Sequence, residues 1–358
     1  MLIPLGHFQS GVCPAVGHSH RLVDLHGRTA VVTGGAAGIG YFLSERLAAL
    51  GAHVILAGRN PDRAKAAQRA IQSRLPDATV TFQPLDLADL SSVRAAGQTL
   101  LDLPSLDVLV ANAGMIGYPK HVKPAGERGV RQQTTLDGHE LFWGTNFLGH
   151  YALIAMLLPL LLTSGGRCVL VGSLGDRLAP LSADGVPSPD LPASDLAKYG
   201  QSKLAISTLM QELARRATGQ HFTVLGTHPG TAVDFLSPTR EGVAVNQPTT
   251  AGPLQAPVRL FTHGKHEGAL PLLTAAACPE AGTGDYWGPR WLTRGRPIRT
   301  RPNPATRDPD TARHLINAAA TLTGVQLPHW TRTLPDAWGP PTRHRADDDG
   351  QADQDQRG

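Results

Sequence analysis

Residues 30–40 read Ala-Val-Val-Thr-Gly-Gly-Ala-Ala-Gly-Ile-Gly, and this stretch decides the fold. The apolar run at its start is typical of a buried strand, and the residues that follow it have the period of a helix. Glycines at such a junction allow the backbone to turn sharply and to approach a phosphate group, which the first N–H groups of the helix then face. A purely structural turn is the alternative, but the placement favours dinucleotide binding. The candidate contacts are Thr33, Gly34, Gly38, Ile39 and Gly40.

On both sides of this turn, short apolar runs alternate with longer stretches of helical period. The predicted strands are 30–33, 53–57, 79–83, 108–111, 167–172 and 222–227. The predicted helices are 39–50, 61–74, 90–101, 138–162 and 199–217, with two more near 266–277 and 309–323. Strands that alternate with helices indicate a parallel sheet covered on both faces. The sequence therefore predicts an α/β fold, a single-domain, doubly wound Rossmann fold with right-handed crossovers and a mostly parallel sheet.

The remaining segments fall outside this alternation. Residues 1–26 show no period and are predicted to form a flexible N-terminal extension before a catalytic domain at 27–325. Residues 229–263 are irregular and rich in proline, which is typical of a functional lid. Residues 326–358 form a C-terminal extension, with disorder expected from about 341 because no large apolar residue follows.

Composition narrows the class of protein. The chain has 358 residues, 41% of them hydrophobic and 17% charged, and a net charge of +4. The apolar run 151–162 is shorter than the roughly 20 residues of a membrane span, so no span is expected. Three widely separated cysteines suit a reducing cytoplasm, and no metal site is predicted. The arginines at 290–301 are interrupted by Pro297 and do not form a stacking platform, so nucleic acid is not an expected partner.

The end of the second strand bears on the choice of cofactor. An acidic residue there would accept a hydrogen bond from the adenosine ribose, whereas an arginine can pair with a 2'-phosphate. Gly58 and Arg59 occupy this position, so NADP(H) is favoured over NAD(H), with a solvated surface arginine as the alternative. After the third strand, Asp86 and Leu87 are placed to contact the adenine, although an aspartate there can also cap a helix.

A second group of residues has the chemistry of proton transfer. Tyr199 and Lys203 stand four residues apart on one helix face, where the ammonium group could stabilise the phenolate. Ser173 ends the fifth strand, and 112–114 (Asn-Ala-Gly) ends the fourth, so both point to the crevice at the carboxyl ends of the strands. A hydrolase nucleophile at Ser173 is the lesser alternative, because such an elbow needs glycine at position 171, which is Val.

Together these motifs resemble the short-chain dehydrogenase/reductase family over roughly residues 27–325. The family pattern T-G-x-x-x-G-x-G matches 33–40, N-A-G matches Asn112, Ala113 and Gly114, and Y-x-x-x-K matches 199–203. The phrases at 137–141, 199–205 and 228–230 are similar to the branch of retinol dehydrogenases and light-dependent protochlorophyllide reductases. The resemblance implies that Asn146 completes a catalytic set with Ser173, Tyr199 and Lys203, and that Pro229, Gly230 and Thr231 contact the cofactor.

The resemblance also implies a reaction. NADPH would deliver hydride to a carbonyl carbon of a small apolar or mixed-polarity molecule, with Tyr199 as the proton donor and Asn146 holding a water that links Lys203 to solvent. Reduction of an activated C=C bond and a non-catalytic NADP-binding role are the alternatives. Ala37 and Asp234 depart from the family pattern in the cofactor site. Pairing through the two long helices is common in the family, so a homodimer or homotetramer is a candidate assembly.

Overall fold

The computed structural model describes residues 22–117, 134–178, 180–182, 186–187, 194–243 and 260–328. The strands are β1 Thr29–Thr33, β2 His53–Gly58, β3 Val80–Pro84, β4 Val108–Ala111, β5 Arg167–Val171, β6 Thr223–Thr227, β7 Ala232–Val233, β8 His263–Gly264, β9 Tyr286–Pro289 and β10 Pro297–Thr300. The α-helices are α1 Gly38–Ala49, α2 Pro61–Gln72, α3 Leu90–Leu101, α4 Gly149–Thr163, α5 Asp195–Ala217, α6 Lys265–Ala277 and α7 Pro309–Thr323.

Eight of the strands form one sheet, in the order β10-β9-β6-β5-β4-β1-β2-β3. All neighbouring pairs in it are parallel except β9 and β10. The strand order reverses between β1 and β4, and this reversal opens a crevice at their carboxyl ends. The predicted fold class, a mostly parallel sheet with helices on both faces, is confirmed.

Two apolar layers hold the helices against the sheet. On one face α3, α4, α5 and α7 pack around residues such as Phe147 and Leu209, both completely buried. On the other face α1, α2 and α6 pack around Phe42 and Leu272, which are also completely buried. Every residue of β1 is buried because helices cover both of its faces. The carboxyl ends of β1, β4 and β5 are thereby fixed relative to one another.

The predicted strand boundaries lie within two residues of the observed ones, but the predicted count of six strands was wrong. Four strands were missed: β7 and β8 have only two residues each, and β9 and β10 are short and contain glycine or proline, which disfavour strand assignment. The predicted helix start at Gly138 was also wrong, because its φ of +82° is incompatible with a right-handed helix. A π-helical turn at Trp143–Leu148 leads instead into α4. Helix α5 starts four residues earlier than predicted, and the Ser194 side chain caps it.

Some predicted segments lie partly outside the described residues, namely 1–21, 244–259 and 329–358. Within the predicted N-terminal extension, residues 22–26 are packed against the domain. Leu22 and Leu25 are buried in the α1 and α6 layer, and the Val23 N–H donates to the Ala277 carbonyl at 2.9 Å. The expectation of a loose extension was therefore wrong for these residues, since two apolar side chains anchor them.

Trp143–Thr163 is the one helix in the described part of the chain that is long and apolar enough to cross a membrane by length and composition. Most of it is buried inside the fold, between the sheet and the helices α3, α5 and α7. A core helix of a globular domain has these same properties, so this helix is weak support for a membrane span.

Candidate active site

The glycine-rich turn joins β1 to α1 and is built for close backbone contacts. Gly34 and Gly38 have φ values of +66° and +55°, a region that side chains strongly disfavour. A Cβ on Gly40 would lie 2.3 Å from the Gly34 carbonyl oxygen and 2.6 Å from the Asn112 Nδ2 atom. No side chain in the described structure caps the first turn of α1. The start of this helix therefore offers N–H groups to an anion, as dinucleotide binding requires.

The end of β4 holds this turn in place. The Thr33 hydroxyl accepts hydrogen bonds from the N–H groups of Asn112 and Ala113, both at 2.9 Å. The Asn112 amide donates back to the Thr33 carbonyl at 2.8 Å. The predicted 112–114 motif therefore supports the turn through the backbone and one amide.

The other predicted adenosine contacts lie along the same edge of the sheet. Arg59 is exposed at the end of β2, next to Gly58, where no described atom lies within 4 Å of an added Cβ. Asp86 accepts a hydrogen bond from the Ala88 N–H at 3.0 Å, but Asp89 and not Asp86 caps helix α3, so the helix-capping alternative is wrong. Leu87 is buried, and Ile39 is partly buried against the α1 and α6 layer.

Ser173 and Tyr199 meet at the carboxyl end of β5. The Ser173 hydroxyl hydrogen-bonds to the Tyr199 hydroxyl and also accepts from the Gly175 N–H at 3.1 Å. The tyrosine ring packs edge-on against Phe142, with ring centroids 6.5 Å apart. A Cβ on Gly175 would come within 2.9 Å of this ring, so the glycine makes room for it. Contacts with Phe142 and Gly175 thus hold the tyrosine ring in one orientation beside Ser173.

Burial shifts the pKa values of both Tyr199 and Lys203. Burial raises the pKa of Tyr199, and the hydrogen bond from Ser173 opposes this only in part. The Lys203 Nζ atom donates to the Val171 carbonyl at 2.9 Å, and burial lowers the pKa of Lys203 to about 8. The stabilisation of a Tyr199 phenolate by Lys203 stays a prediction. At neutral pH Tyr199 is protonated, which is the form that can donate a proton.

Asn146 lies in the π-helical turn and is completely buried. Its Oδ1 atom accepts from the Met115 N–H at 2.9 Å, and its Nδ2 atom donates to the Met115 carbonyl and to the Ser202 hydroxyl, both at 3.0 Å. Both Oδ1 and the Lys203 Nζ atom lie 3.3 Å from the position of a Cβ on Gly114. Asn146 therefore ties the end of β4 to α5 and lies on the same side of Gly114 as Lys203.

His150 is a site residue that the sequence reasoning missed. Its Nδ1 atom lies 2.9 Å from the Asn146 carbonyl oxygen and its Nε2 atom 3.0 Å from the Thr33 hydroxyl. Because a carbonyl only accepts, Nδ1 carries the proton and Nε2 accepts from Thr33. His150 thus links the glycine-rich turn to Asn146. Its position four residues after Asn146, on the same helical face, was the available signal.

The segment after β6 closes the site. Pro229 and Gly230 are partly buried, and the Thr231 N–H donates to the Thr293 carbonyl at 2.8 Å. Asp234, where the family pattern has Thr or Ser, forms an ion pair with Lys265 at the start of α6. The structure therefore brings all the predicted site residues to one edge of the sheet.

This arrangement agrees with the comparisons with known proteins. The sequence model described as short chain dehydrogenase matches residues 28–241. The chain belongs to the short chain dehydrogenase family. It is 34% identical to the short chain dehydrogenase/reductase dpchH of Colletotrichum higginsianum over 84% of this chain and 76% of that protein. It is 30% identical to human retinol dehydrogenase 13 over 89% of both chains.

A solved structure is similar to this chain as well. An uncharacterized protein from Mycobacterium paratuberculosis has a TM-score of 0.66 and 29% identity, and the alignment covers 86% of this chain and 97% of that one. The matches to retinol dehydrogenases place this short chain dehydrogenase in the branch that its motifs resembled. Membership of the family supports an oxidoreductase that uses a nicotinamide cofactor.

Acidification is expected to destabilise this short chain dehydrogenase through His150. Burial lowers the pKa of His150 from 6.5 to about 4, so the unfolded chain binds a proton at a pH where the folded chain does not. The stability is therefore complete above about pH 6.5 and is lost as the pH falls towards about 4. The loss amounts to about 3 kcal/mol for such a shift. Denaturant unfolding between pH 7 and pH 4 measures it.

The variant His150→Gln supplies the control, because glutamine keeps one donor and one acceptor but does not titrate. Its unfolding free energy should depend less steeply on pH than that of the wild type. His228, whose pKa burial also lowers to about 4, would retain its own contribution in both proteins. If the unfolding free energies of the two proteins had the same pH dependence, His150 would not be the group responsible for the loss of stability.

Proposed function

We propose that this protein is an NADP(H)-dependent oxidoreductase that transfers hydride between nicotinamide and a carbonyl or secondary alcohol carbon. The observation that carries the proposal is the hydrogen bond between Ser173 and a protonated, buried Tyr199, beside Lys203 and the glycine-rich turn. The turn fits a dinucleotide, because its glycines permit close approach and the start of α1 is uncapped among the described residues. A carbonyl oxygen within reach of both hydroxyls would receive a proton from Tyr199.

The roles of the individual residues follow from their contacts. Bound NADPH supplies the hydride. Tyr199 donates its proton to the developing alkoxide. The Ser173 hydroxyl hydrogen-bonds to the same oxygen and so orients the substrate. Lys203 holds the nicotinamide ribose and stabilises the tyrosinate that remains. A water that hydrogen-bonds to Lys203 and to the Asn146 Oδ1 atom would return a proton to the site.

The preference for NADP(H) rests on Arg59, and its removal is a direct test. Arg59→Ala should raise the Kd for NADPH about 10-fold or more, since a charge-assisted hydrogen bond contributes roughly 1.5–3 kcal/mol. The Kd for NADH should stay unchanged, because NADH has no 2'-phosphate. Quenching of tryptophan fluorescence and energy transfer to the bound nicotinamide measure both values.

Arg69→Ala is the matched control, since Arg69 is an exposed arginine in the last turn of α2. It should leave both Kd values unchanged. Equal affinity of the wild type for NADPH and NADH would contradict the proposed specificity. Product analysis in a carbonyl screen then distinguishes an alcohol product from the saturated carbonyl that C=C reduction would give.

The setting we propose is the cytoplasm, because Cys168 and Cys278 are buried free thiols, which suits a reducing compartment. A homodimer or homotetramer remains a prediction. Helix α7 packs against both α4 and α5, so it covers part of the helical face through which relatives were expected to pair. The partner that the site supports is a small-molecule substrate.

A further inference from the structure

An ion pair between two side chains of this chain lies next to the glycine-rich turn. The ammonium group of Lys265, the first residue of α6, pairs with the carboxylate of Asp234. The Lys265 Nζ atom also lies 3.8 Å from the point that a Cβ on Gly38 would occupy. A positive charge from α6 is therefore held beside the uncapped start of α1, by a carboxylate from the segment after β6.

The surrounding structure fixes Lys265 in this position. Its N–H donates to the Ser237 hydroxyl at 2.7 Å, and its side chain is only 23% exposed. The Arg46 guanidinium donates to the His266 carbonyl at 2.6 Å, which ties the first turn of α6 to α1. A cation is disfavoured at the start of a helix, because the macrodipole is positive there. The dipole of α6 thus destabilises the ammonium group of Lys265 at this position, whereas the contacts near the turn stabilise it.

Asp234 explains why the ammonium group rests there without an external anion. A carboxylate that is 40% exposed at a phosphate-binding turn would repel a diphosphate if it stood alone. Paired with Lys265, it leaves the turn without excess negative charge. The same ammonium group can pair with either anion, so the carboxylate and an incoming diphosphate compete for it.

We propose that Lys265 binds the diphosphate of the dinucleotide and that Asp234 holds its ammonium group in place until the diphosphate replaces the carboxylate. This inference rests on the proposed function, since it assumes a dinucleotide at the turn. Binding then exchanges an internal ion pair for a pair with the ligand. Lys265 strengthens binding and Asp234 weakens it.

The test is titration of the full chain with NADPH, NADH and ADP-ribose, which share the diphosphate and differ elsewhere. Lys265→Met should raise the Kd for all three ligands at least 10-fold. Asp234→Asn, which keeps the size of the side chain, should lower all three several-fold. Lys65→Met, the same substitution at an exposed lysine of α2, should leave the Kd values unchanged.

The possible results separate the inference from the proposed function. A wild type that binds the ligands, with Kd values for Lys265→Met within twofold, would overturn the role of Lys265 and leave the cofactor site intact. If Lys265→Met raised the Kd for NADPH alone, the role of Lys265 would be overturned too, because this result would indicate a contact with the 2'-phosphate. If Lys265→Met fails to fold, unchanged or weaker binding by Asp234→Asn overturns the inference. A wild type that binds none of the three overturns both proposals.

Discussion

Tyr199→Phe is expected to lower turnover at least 100-fold and to leave NADPH binding within about twofold of the wild type. The substitution removes one oxygen and keeps the ring, which packs against Phe142 and Gly175. The lost hydroxyl is the group that hydrogen-bonds to Ser173 and that burial keeps protonated at neutral pH. Without it, no other acid in the proposed mechanism reaches the substrate oxygen. Steady-state rates with a carbonyl substrate and a cofactor titration measure the two quantities.

Tyr151→Phe is the matched control, because Tyr151 is a completely buried tyrosine of α4. It loses a buried hydroxyl that has no part in the proposed mechanism, so its turnover should stay close to that of the wild type. Full activity of Tyr199→Phe would rule out Tyr199 as the proton donor. A loss of NADPH binding in that variant would mean that Tyr199 serves the cofactor site and that its effect on rate is indirect.

Gly40→Ala is expected to weaken dinucleotide binding at least 100-fold. The added Cβ would lie 2.3 Å from the Gly34 carbonyl oxygen and 2.6 Å from the Asn112 Nδ2 atom. Real Cβ atoms do not approach so closely, and the first contact is with backbone that cannot swing away. Helix α1 or the turn must therefore move, which displaces the N–H groups that face the diphosphate. Titration with NADPH measures the loss.

Gly282→Ala provides the control for this substitution. No described atom lies within 4 Å of a Cβ at position 282, and this glycine is far from the turn in the chain. Its affinity for NADPH and its thermal unfolding should both match the wild type. If Gly40→Ala bound NADPH as tightly as the wild type does, the turn would not be the diphosphate site.

The main elements of the fold could be predicted from the sequence because their signals are local. Helices α3 and α7 have the predicted limits, and β4 does too, since the apolar period and the caps at Asp89 and Asp308 lie within a few residues of each other. Strands β9 and β10 could not be predicted in this way. Their place at the edge of the sheet depends on the pairing of β9 with β6, which is distant in sequence, and β10 then pairs with β9.

In the candidate site, too, some features could be predicted from the sequence and others could not. The motif residues could be named from spacing along the chain, and the carboxyl ends of parallel strands bring them together. Their partners could not be named, because hydrogen bonds depend on three-dimensional distance. Spacing alone did not reveal that Lys203 donates to Val171, that His150 links Thr33 to Asn146, or that Lys265 pairs with Asp234.

By itself, the sequence determined the class of fold, the glycine-rich turn and the candidate residues for the proposed chemistry. These features depend on residue type and short-range order, which a chain retains before it folds. Only the tertiary structure decided the charge states and partners of those residues. Burial raises the pKa of Tyr199 and lowers that of Lys203 to about 8, because each is removed from water by elements far away in the sequence.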